Sequence, residues 1–300
     1  MVVQGWLASA AARRPARAAI ETAAGAMTYG ELLERCRAGF CELQAAGAVE
    51  RARVGIAMPA GLAFAHALHS CLLSGAVAVP VDVRLAPAER AAILDGCDVV
   101  VDAPLASLSD PPPANGAQAP NERTHDLDAP AALIHTSGTT AAPRPVTLTY
   151  GNFHWSALGS AVALGLDPDE RWLSAMPLSH VGGLSILIRS AIYATTAVVH
   201  ERFDTQQVTH ALEREEITLV SLVGTTLARV LEAGLERPPT LRAALTGGGP
   251  VHPALLGFAR DADVPVSLSY GLTESCSQAT TAPVAAPGSG EDAGPPLFCP

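Results

Sequence analysis

Short runs rich in Val, Ile and Leu alternate with segments of helical periodicity along most of the chain, and this alternation constrains the fold more than any other feature. The apolar runs fall at 54–57, 77–81, 99–101, 131–135, 171–175, 197–200, 218–222, 242–245 and 265–269. Helical spacing occupies 29–46, 61–74, 87–96, 151–164, 181–193, 205–215 and 225–233. Strands separated by helices cannot pair through tight hairpins; they run parallel, and the crossover helices cover both faces of the sheet. The expected fold is therefore α/β, with layered parallel sheets flanked by helices. Ligands in such folds bind beyond the carboxyl ends of the strands. The loops that follow the apolar runs are thus the places to look for chemistry.

At 300 residues the chain exceeds a typical single domain. Residues 103–130, rich in Pro, Ala and Asn and lacking periodicity, read as a linker. The expected division is a first α/β subdomain over 1–130 ending in that linker, a second over 131–282 carrying the functional loops, and a Gly/Pro/Ala-rich tail over 283–300. The longest apolar tract, 61–83, contains His66, His69, Ser70 and Ser74 and breaks at Pro80. A buried helix followed by a strand accounts for it, and no membrane span is expected. Near the start, Arg13, Arg14 and Arg17 follow the apolar stretch, the reverse of a signal peptide's order. An amphipathic first helix with Trp6 and Leu7 facing the core is the better reading.

The formal net charge of −10, with no basic stripe against it, argues against nucleic acid as a partner. An anionic small molecule must then meet a locally positive or N–H-rich site. Cys36, Cys41, Cys71, Cys97, Cys276 and Cys299 show no C-x-x-C spacing, so free thiols in a reducing cytoplasm are expected and a zinc site is not.

Four loops carry candidate chemistry. After the run at 131–135 come Thr136, Ser137, Gly138, Thr139 and Thr140, hydroxyl and backbone N–H donors with almost no bulk. Such donors can converge on phosphate oxygens, and Gly138 lets the backbone approach closely. An ordinary Ser/Thr/Gly turn is the competing reading; the buried-looking strand before it and Pro143-Arg144-Pro145 after it favour a held loop. After 265–269, Tyr270-Gly271-Leu272-Thr273-Glu274 presents a ring to stack on a base, a hydroxyl for phosphate and a carboxylate for Mg²⁺. After 242–245, Gly247, Gly248 and Gly249 would let a ligand plane lie against bare backbone. His180 stands at a strand-to-helix junction, with no second ligand at metal-binding spacing. On the helix that follows, Arg189 either meets a substrate carboxylate or forms a structural ion pair.

The first loop resembles the phosphate-binding signature Ser/Thr-Ser-Gly-Thr-Thr-Gly-x-Pro-Lys-Gly of the adenylate-forming superfamily, which includes acyl-CoA synthetases, luciferases and peptide-synthetase adenylation domains. It matches through Thr140 and at Pro143, and departs at Ala141, Arg144 and Pro145. Ala141 resists positive φ, at a cost of about 1 kcal/mol. Arg144 replaces a compact ammonium with a planar fork. Pro145 deletes an N–H and pushes Arg144 toward extended geometry. Tyr270 to Glu274 is similar to the superfamily's Tyr-Gly-x-Thr-Glu signature without departure. Residues 150–157, 177–190 and 270–278 resemble the o-succinylbenzoate–CoA ligases of menaquinone biosynthesis, and the likeness runs over nearly the whole chain.

The resemblance implies the N-terminal domain of an adenylate-forming enzyme, one that activates a carboxylic acid with ATP and Mg²⁺ before thioester formation with CoA. The acid implied is o-succinylbenzoate. Thr136, Ser137, Gly138, Thr139 and Thr140 would grip phosphates, with Arg144 as a mobile cation. Gly247, Gly248, Gly249, Tyr270 and Gly271 would hold the adenine. Thr273 would bind the α-phosphate, Glu274 the Mg²⁺, and His180 would neighbour the attacking carboxylate. Members of the superfamily continue into a small barrel and a mobile C-terminal domain that carries an Asp for the ribose, a hinge and a Lys. These have no counterpart here, and the sequence has no lysine at all. The expectation is the larger part of an N-terminal domain, as a shortened chain, a natural fragment or half of a split enzyme served by a C-terminal domain in trans. A homo-oligomer stays open. The alternatives are a non-catalytic ligand-binding relic of the same fold and a ligase for another aryl or acyl acid.

Overall fold

The computed structural model describes residues 1–109, 122–136 and 144–284, together with the backbone of 297–298. The first part of the chain forms β1 (Val2–Gln4), α1 (Trp6–Arg13), β2 (Ala18–Thr22), β3 (Gly25–Thr28) and α2 (Tyr29–Ala45). It continues through β4 (Arg53–Ile56), α3 (Leu62–Ser74), β5 (Val77–Pro80), α4 (Pro87–Leu94), β6 (Val99–Val101) and β7 (Thr124–Asp126). Then follow β8 (Pro130–Thr136), β9 (Arg144–Thr149), α5 (Tyr150–Leu164), β10 (Arg171–Ser174), α6 (Val181–Tyr193), β11 (Thr196–Val199) and α7 (Thr205–Arg214). The last part contains β12 (Leu219–Val223), α8 (Gly224–Glu232), β13 (Ala243–Gly247), α9 (Pro253–Asp261), β14 (Val266–Tyr270), β15 (Thr280–Thr281) and β16 (Leu297–Phe298).

Two large sheets organise these elements. One has the order β6-β4-β5-β8-β9 and the other the order β16-β15-β14-β13-β12-β10-β11-β2-β3, while β1 and β7 form a separate pair. The central pairs of both large sheets are parallel, as the strand–helix alternation requires. Among the described residues of these two sheets, the antiparallel pairs lie toward the edges, at β8–β9, β2–β3 and β14–β15–β16. Pro145 sits in the edge strand β9, where its missing N–H disturbs no inner ladder.

The sheets cut across the expected division of the chain at 130/131. β8 and β9 join the first sheet with β4–β6, whereas β2 and β3 join the second, where Ile20 lies opposite Ala197. Three apolar clusters define the layers. Val77, Val79 and Val81 point to α4 on the outside of the first sheet, while Ala78 points inward. The inner cluster holds α1, α2, α3, α5 and α6 between the sheets. α7, α8 and α9 cover the outer face of the second sheet.

Position in these layers explains the sequence patterns. All residues of α3 from Phe64 to Ser74 are buried, because the helix touches α2 and strands of both sheets. A helix wrapped on every side has no polar face to show, so residues 61–83 read as one long apolar tract. Among the described residues no helix is long and apolar enough to cross a membrane. The amphipathic first helix is α1, with Trp6, Leu7, Ala10 and Ala11 buried. α2 starts at a reciprocal cap: the Thr28 side chain accepts from the Glu31 N–H and the Glu31 carboxylate accepts from the Thr28 N–H.

Candidate active site

The carboxyl ends of the central parallel strands of both sheets open into one cleft of about 980 Å³. Thr136 enters it at the end of β8, half-buried, and its Oγ1 donates to the carbonyl of Arg144 across the β8–β9 pair at 3.2 Å. Ser137, Gly138, Thr139 and Thr140 lie outside the described residues. Arg144 starts β9 in extended geometry, as the following proline demands, and stands exposed rather than on the cleft wall.

β10, an inner strand of the second sheet, ends at Ser174, and residues 175–180 lead from its carboxyl end to α6. His180 is the residue before that helix; its backbone is extended and its carbonyl accepts from the Leu184 N–H at 3.0 Å. His180, Val181 and Gly182 all line the cleft, so the helix N-terminus, with its unpaired N–H groups and positive dipole end, faces the cavity. The site favours anions even in an acidic protein.

β13 delivers Gly247 and Gly248 to the wall, but Gly249 lies outside it. A Cβ on Gly247 would sit 2.6 Å from the carbonyl oxygen of Ser269 on the neighbouring strand β14. β14 delivers Gly271, Thr273 and Glu274 to the cleft, followed by Ser277 and Gln278. Tyr270 is 61% exposed and outside the wall. The loop after β14 folds back tightly. The Cys276 N–H donates to the Thr273 carbonyl, the Ser277 N–H to the Leu272 carbonyl and the Ala279 N–H to the Tyr270 carbonyl. Cys276 and Ser277 are both held at positive φ, 55° and 85°. A Cβ on Gly271 would overlap the carbonyl oxygen of Ser277, so only glycine fits there.

Of the residues expected from sequence, the cleft brings together Thr136, His180, Gly247, Gly248, Gly271, Thr273 and Glu274. Arg144, Gly249 and Tyr270 are not on its wall. Other lining residues escaped the sequence reading. Asp82 and Arg84 follow β5, with the Arg84 guanidinium donating to both carboxylate oxygens at 2.9 and 2.7 Å. That hydrogen bonding, more than any other cause, holds the Asp82 carboxyl below its ordinary range, with smaller help from Arg84's charge and His180. The strand-end rule would have found this pair just past 77–81. Arg202 follows β11, and Gln278 is buried with its Nε2 donating to Thr281 Oγ1 at 2.7 Å.

Arg189 on α6 is 2% exposed and lines the cleft. Its Nη2 donates to Ser156 Oγ at 2.8 Å, and its guanidinium lies 5.6 Å from the Trp172 ring centre, a cation–π distance. Cys276 is free and buried, and burial pushes its thiol up to about 12. It is a packing residue rather than a nucleophile. Cys36, Cys41, Cys71 and Cys97 are free as well, as their spacing suggested.

Two parallel-cored sheets sharing one ligand cleft at their strand ends, rimmed by glycines, hydroxyls and a helix N-terminus, define a nucleotide-binding enzyme class. The chain belongs to the AMP-binding enzyme family, whose pattern matches residues 7–300. It is 33% identical over 290 residues to the 2-succinylbenzoate–CoA ligase of Bacillus subtilis, covering 92% of this chain and 60% of that protein. It is also similar to o-succinylbenzoate CoA synthetase from B. subtilis solved with the acyl-adenylate intermediate OSB-AMP. There the TM-score is 0.87 and the identity 33%, over 99% of this chain and 65% of that one. The same synthetase solved with ATP and magnesium ion gives a TM-score of 0.86 and 33% identity over 99% and 66% of the two chains. The chain thus spans less than two thirds of the length of these relatives.

Proposed function

We propose that this chain is the acid- and nucleotide-binding part of an acyl-activating ligase. One observation carries the reading: residues from the ends of four strands in two sheets, Thr136, His180, Gly247 with Gly248, and Gly271 with Thr273 and Glu274, meet at a single cleft. In the first step a carboxylate oxygen attacks the α-phosphorus of ATP, and the bond to the pyrophosphate oxygen breaks. In the second the CoA thiol attacks the acyl carbon and AMP leaves.

Chain residues would contribute positioning and charge stabilisation. Thr136 and its neighbours Ser137, Gly138, Thr139 and Thr140 would donate to the phosphates, with Arg144 as the cation that approaches them. Thr273 would donate to the α-phosphate. Gly247, Gly248 and Gly271 would admit the adenine plane, with Gly249 and Tyr270 closing the rim. His180 would stand beside the carboxylate, where the α6 N-terminus favours negative charge. Mg²⁺ takes oxygen ligands, commonly one or two carboxylates plus substrate phosphates. The Glu274 carboxylate on the cleft wall suits that use, and among the described residues no cluster of three or more His, Cys, Asp or Glu offers an all-protein cage. Bound there, the ion would supply charge neutralisation to the phosphates.

The acid we propose is o-succinylbenzoate, the substrate named for the relatives; the buried Arg189 on the cleft wall suits its second carboxylate. Thioester formation would draw on a further domain, in cis or in trans, in keeping with the greater length of those relatives. The free thiols support a reducing cytoplasm.

Calorimetry with a non-hydrolysable o-succinylbenzoyl-adenylate analogue tests the reading. Saturable binding at least about 100-fold tighter than the free acid is expected, since an intermediate mimic gathers both subsites' contacts. Binding of neither the analogue nor ATP with Mg²⁺ would overturn the reading in favour of a non-catalytic module.

A further inference from the structure

Ser156 lies on α5, buried, and is 120 residues away in sequence from the loop it holds. Its Oγ donates to the carbonyl of Cys276 at 2.7 Å and accepts from Arg189 Nη2 at 2.8 Å. A serine hydroxyl has one proton to give, and here it goes to the loop; a lone pair serves the arginine. On one side stands a buried guanidinium that lines the cleft. On the other stands the loop that presents Gly271, Thr273 and Glu274 to the same cleft.

We propose that Ser156 is a positioning residue that couples the acid subsite to the phosphate and metal loop, by orienting Arg189 and tethering the left-handed corner at Cys276–Ser277. The inference rests on the adenylation reading above and deepens it. Two successive non-glycine residues at positive φ persist only where their surroundings over-determine them. From outside the loop the corner is held by this hydrogen bond to the Cys276 carbonyl and by the packing of the Cys276 side chain in the inner cluster; among the described residues, the bonds from the Cys276, Ser277 and Ala279 N–H groups are made within the loop. Cys276 is two residues from Glu274 and three from Thr273, so release of the corner moves both. Removing the hydroxyl also strips a bond from the guanidinium. One hydroxyl thus serves two ligands that must meet at a single reacting centre.

The test compares Ser156→Ala, Ser156→Thr and the control Ser160→Ala in the full chain. Ser160 is one helical turn further along α5 and as buried, and its hydroxyl makes no hydrogen bond among the described residues. Hydrogen exchange is followed at the amides of Cys276 and Ser277 and, as a monitor of global stability, in β10 and β12. Calorimetry measures o-succinylbenzoate and ATP with Mg²⁺ separately. Ser156→Ala should speed exchange at Cys276 and Ser277 by about 10- to 100-fold, the range for a lost buried hydrogen bond. The two strands should stay protected, and both ligands should weaken by about 10-fold or more. Ser156→Thr, which keeps the Oγ, should recover both effects in part, and Ser160→Ala should show neither. Unchanged loop exchange in Ser156→Ala, or weakening of the acid alone, would overturn the coupling. If the parent chain binds neither ligand, the adenylation reading falls instead. Exchange at the corner then decides the tether by itself, faster in Ser156→Ala supporting it and unchanged overturning it.

Discussion

Replacing Gly271 by alanine would put a methyl group where the loop after β14 folds back on itself. The added Cβ would overlap the Ser277 carbonyl oxygen and lie 2.5 Å from its carbonyl carbon and 3.1 Å from the Gln278 Cα. Carbon atoms rest at about 3.5–4.0 Å, so the two backbone segments must separate by about 1 Å or more. Both sides are backbone, and no rotamer change can relieve the clash. Separation strains the bonds from Ser277 N–H to Leu272 and from Ala279 N–H to Tyr270. Each is worth about 1 kcal/mol net, so a local loss of about 2 kcal/mol is expected. Of the described loop residues from Gly271 to Ser277, Cys276 alone packs into the inner cluster, so the strain stays local and the sheets should survive. Thr273 and Glu274 would shift with it, and losing one hydrogen bond to a charged phosphate and one charge-assisted contact, about 3 kcal/mol together, costs about 100-fold in affinity. Calorimetry with ATP and Mg²⁺, next to circular dichroism, reads this directly. Gly271→Ala should lose about 100-fold in affinity with its spectrum intact. Gly257→Ala, on α9 away from the cleft wall and with nothing within 4 Å of the added Cβ, should bind within about 3-fold of the parent. Parental affinity in Gly271→Ala would refute the placement of that loop in the nucleotide site.

Acid should unfold the chain before its carboxylates titrate. Burial lowers His69 to about 4 and His125 to about 3, against an ordinary 6.5. The unfolded chain therefore takes up these protons first, and stability present above pH 6.5 is lost as pH falls toward the folded values. Two such groups cost about 3 kcal/mol between pH 6.5 and 5, and an unchanged urea midpoint over that window would contradict their burial. Gly257 lies inside α9, and a Cβ there meets nothing within 4 Å; Gly257→Ala should stabilise by about 0.5–1 kcal/mol in urea titration. Glu170 is buried and paired with the partly exposed Arg242, which also reaches the Leu164 carbonyl. Glu170→Gln should destabilise by about 2–3 kcal/mol, seen as a lower thermal midpoint.

The parallel strands were legible because a strand buried on both faces is apolar along its whole length. Runs such as 77–81 and 218–222 therefore stood out, and they lie within a residue or two of β5 and β12. β2 and β3 were missed: Ala18–Thr22 and Gly25–Thr28 have weak strand propensity and are extended because they extend the second sheet beside β11. α9 was missed as well, although Pro253 at its first turn and the His252 side chain accepting from the Ala254 N–H mark a helix start. β9 hid behind its prolines, which only an edge position tolerates.

The candidate site divides in the same way. Thr136, His180, Gly247 and the residues from Gly271 to Glu274 each follow an apolar run, so sequence alone could nominate them: strand ends in parallel sheets are where ligands bind. That these four loops face one cavity follows from which strands neighbour which, and strand order is a property of the packed sheets. The Asp82–Arg84 pair comes to the wall with them, while Arg144, Gly249 and Tyr270 stand off it. The hydroxyl linking Arg189 to Cys276 is the clearest case. It stands on α5, its partners come from α6 and the loop after β14, up to 120 residues away, and no periodicity records that meeting. Local sequence determined the inner strands, most helices and the chemistry at their ends, because propensity and hydrophobic period act over a few residues. Tertiary structure alone decided which of those ends share a cleft, because that depends on contacts between segments the chain keeps far apart.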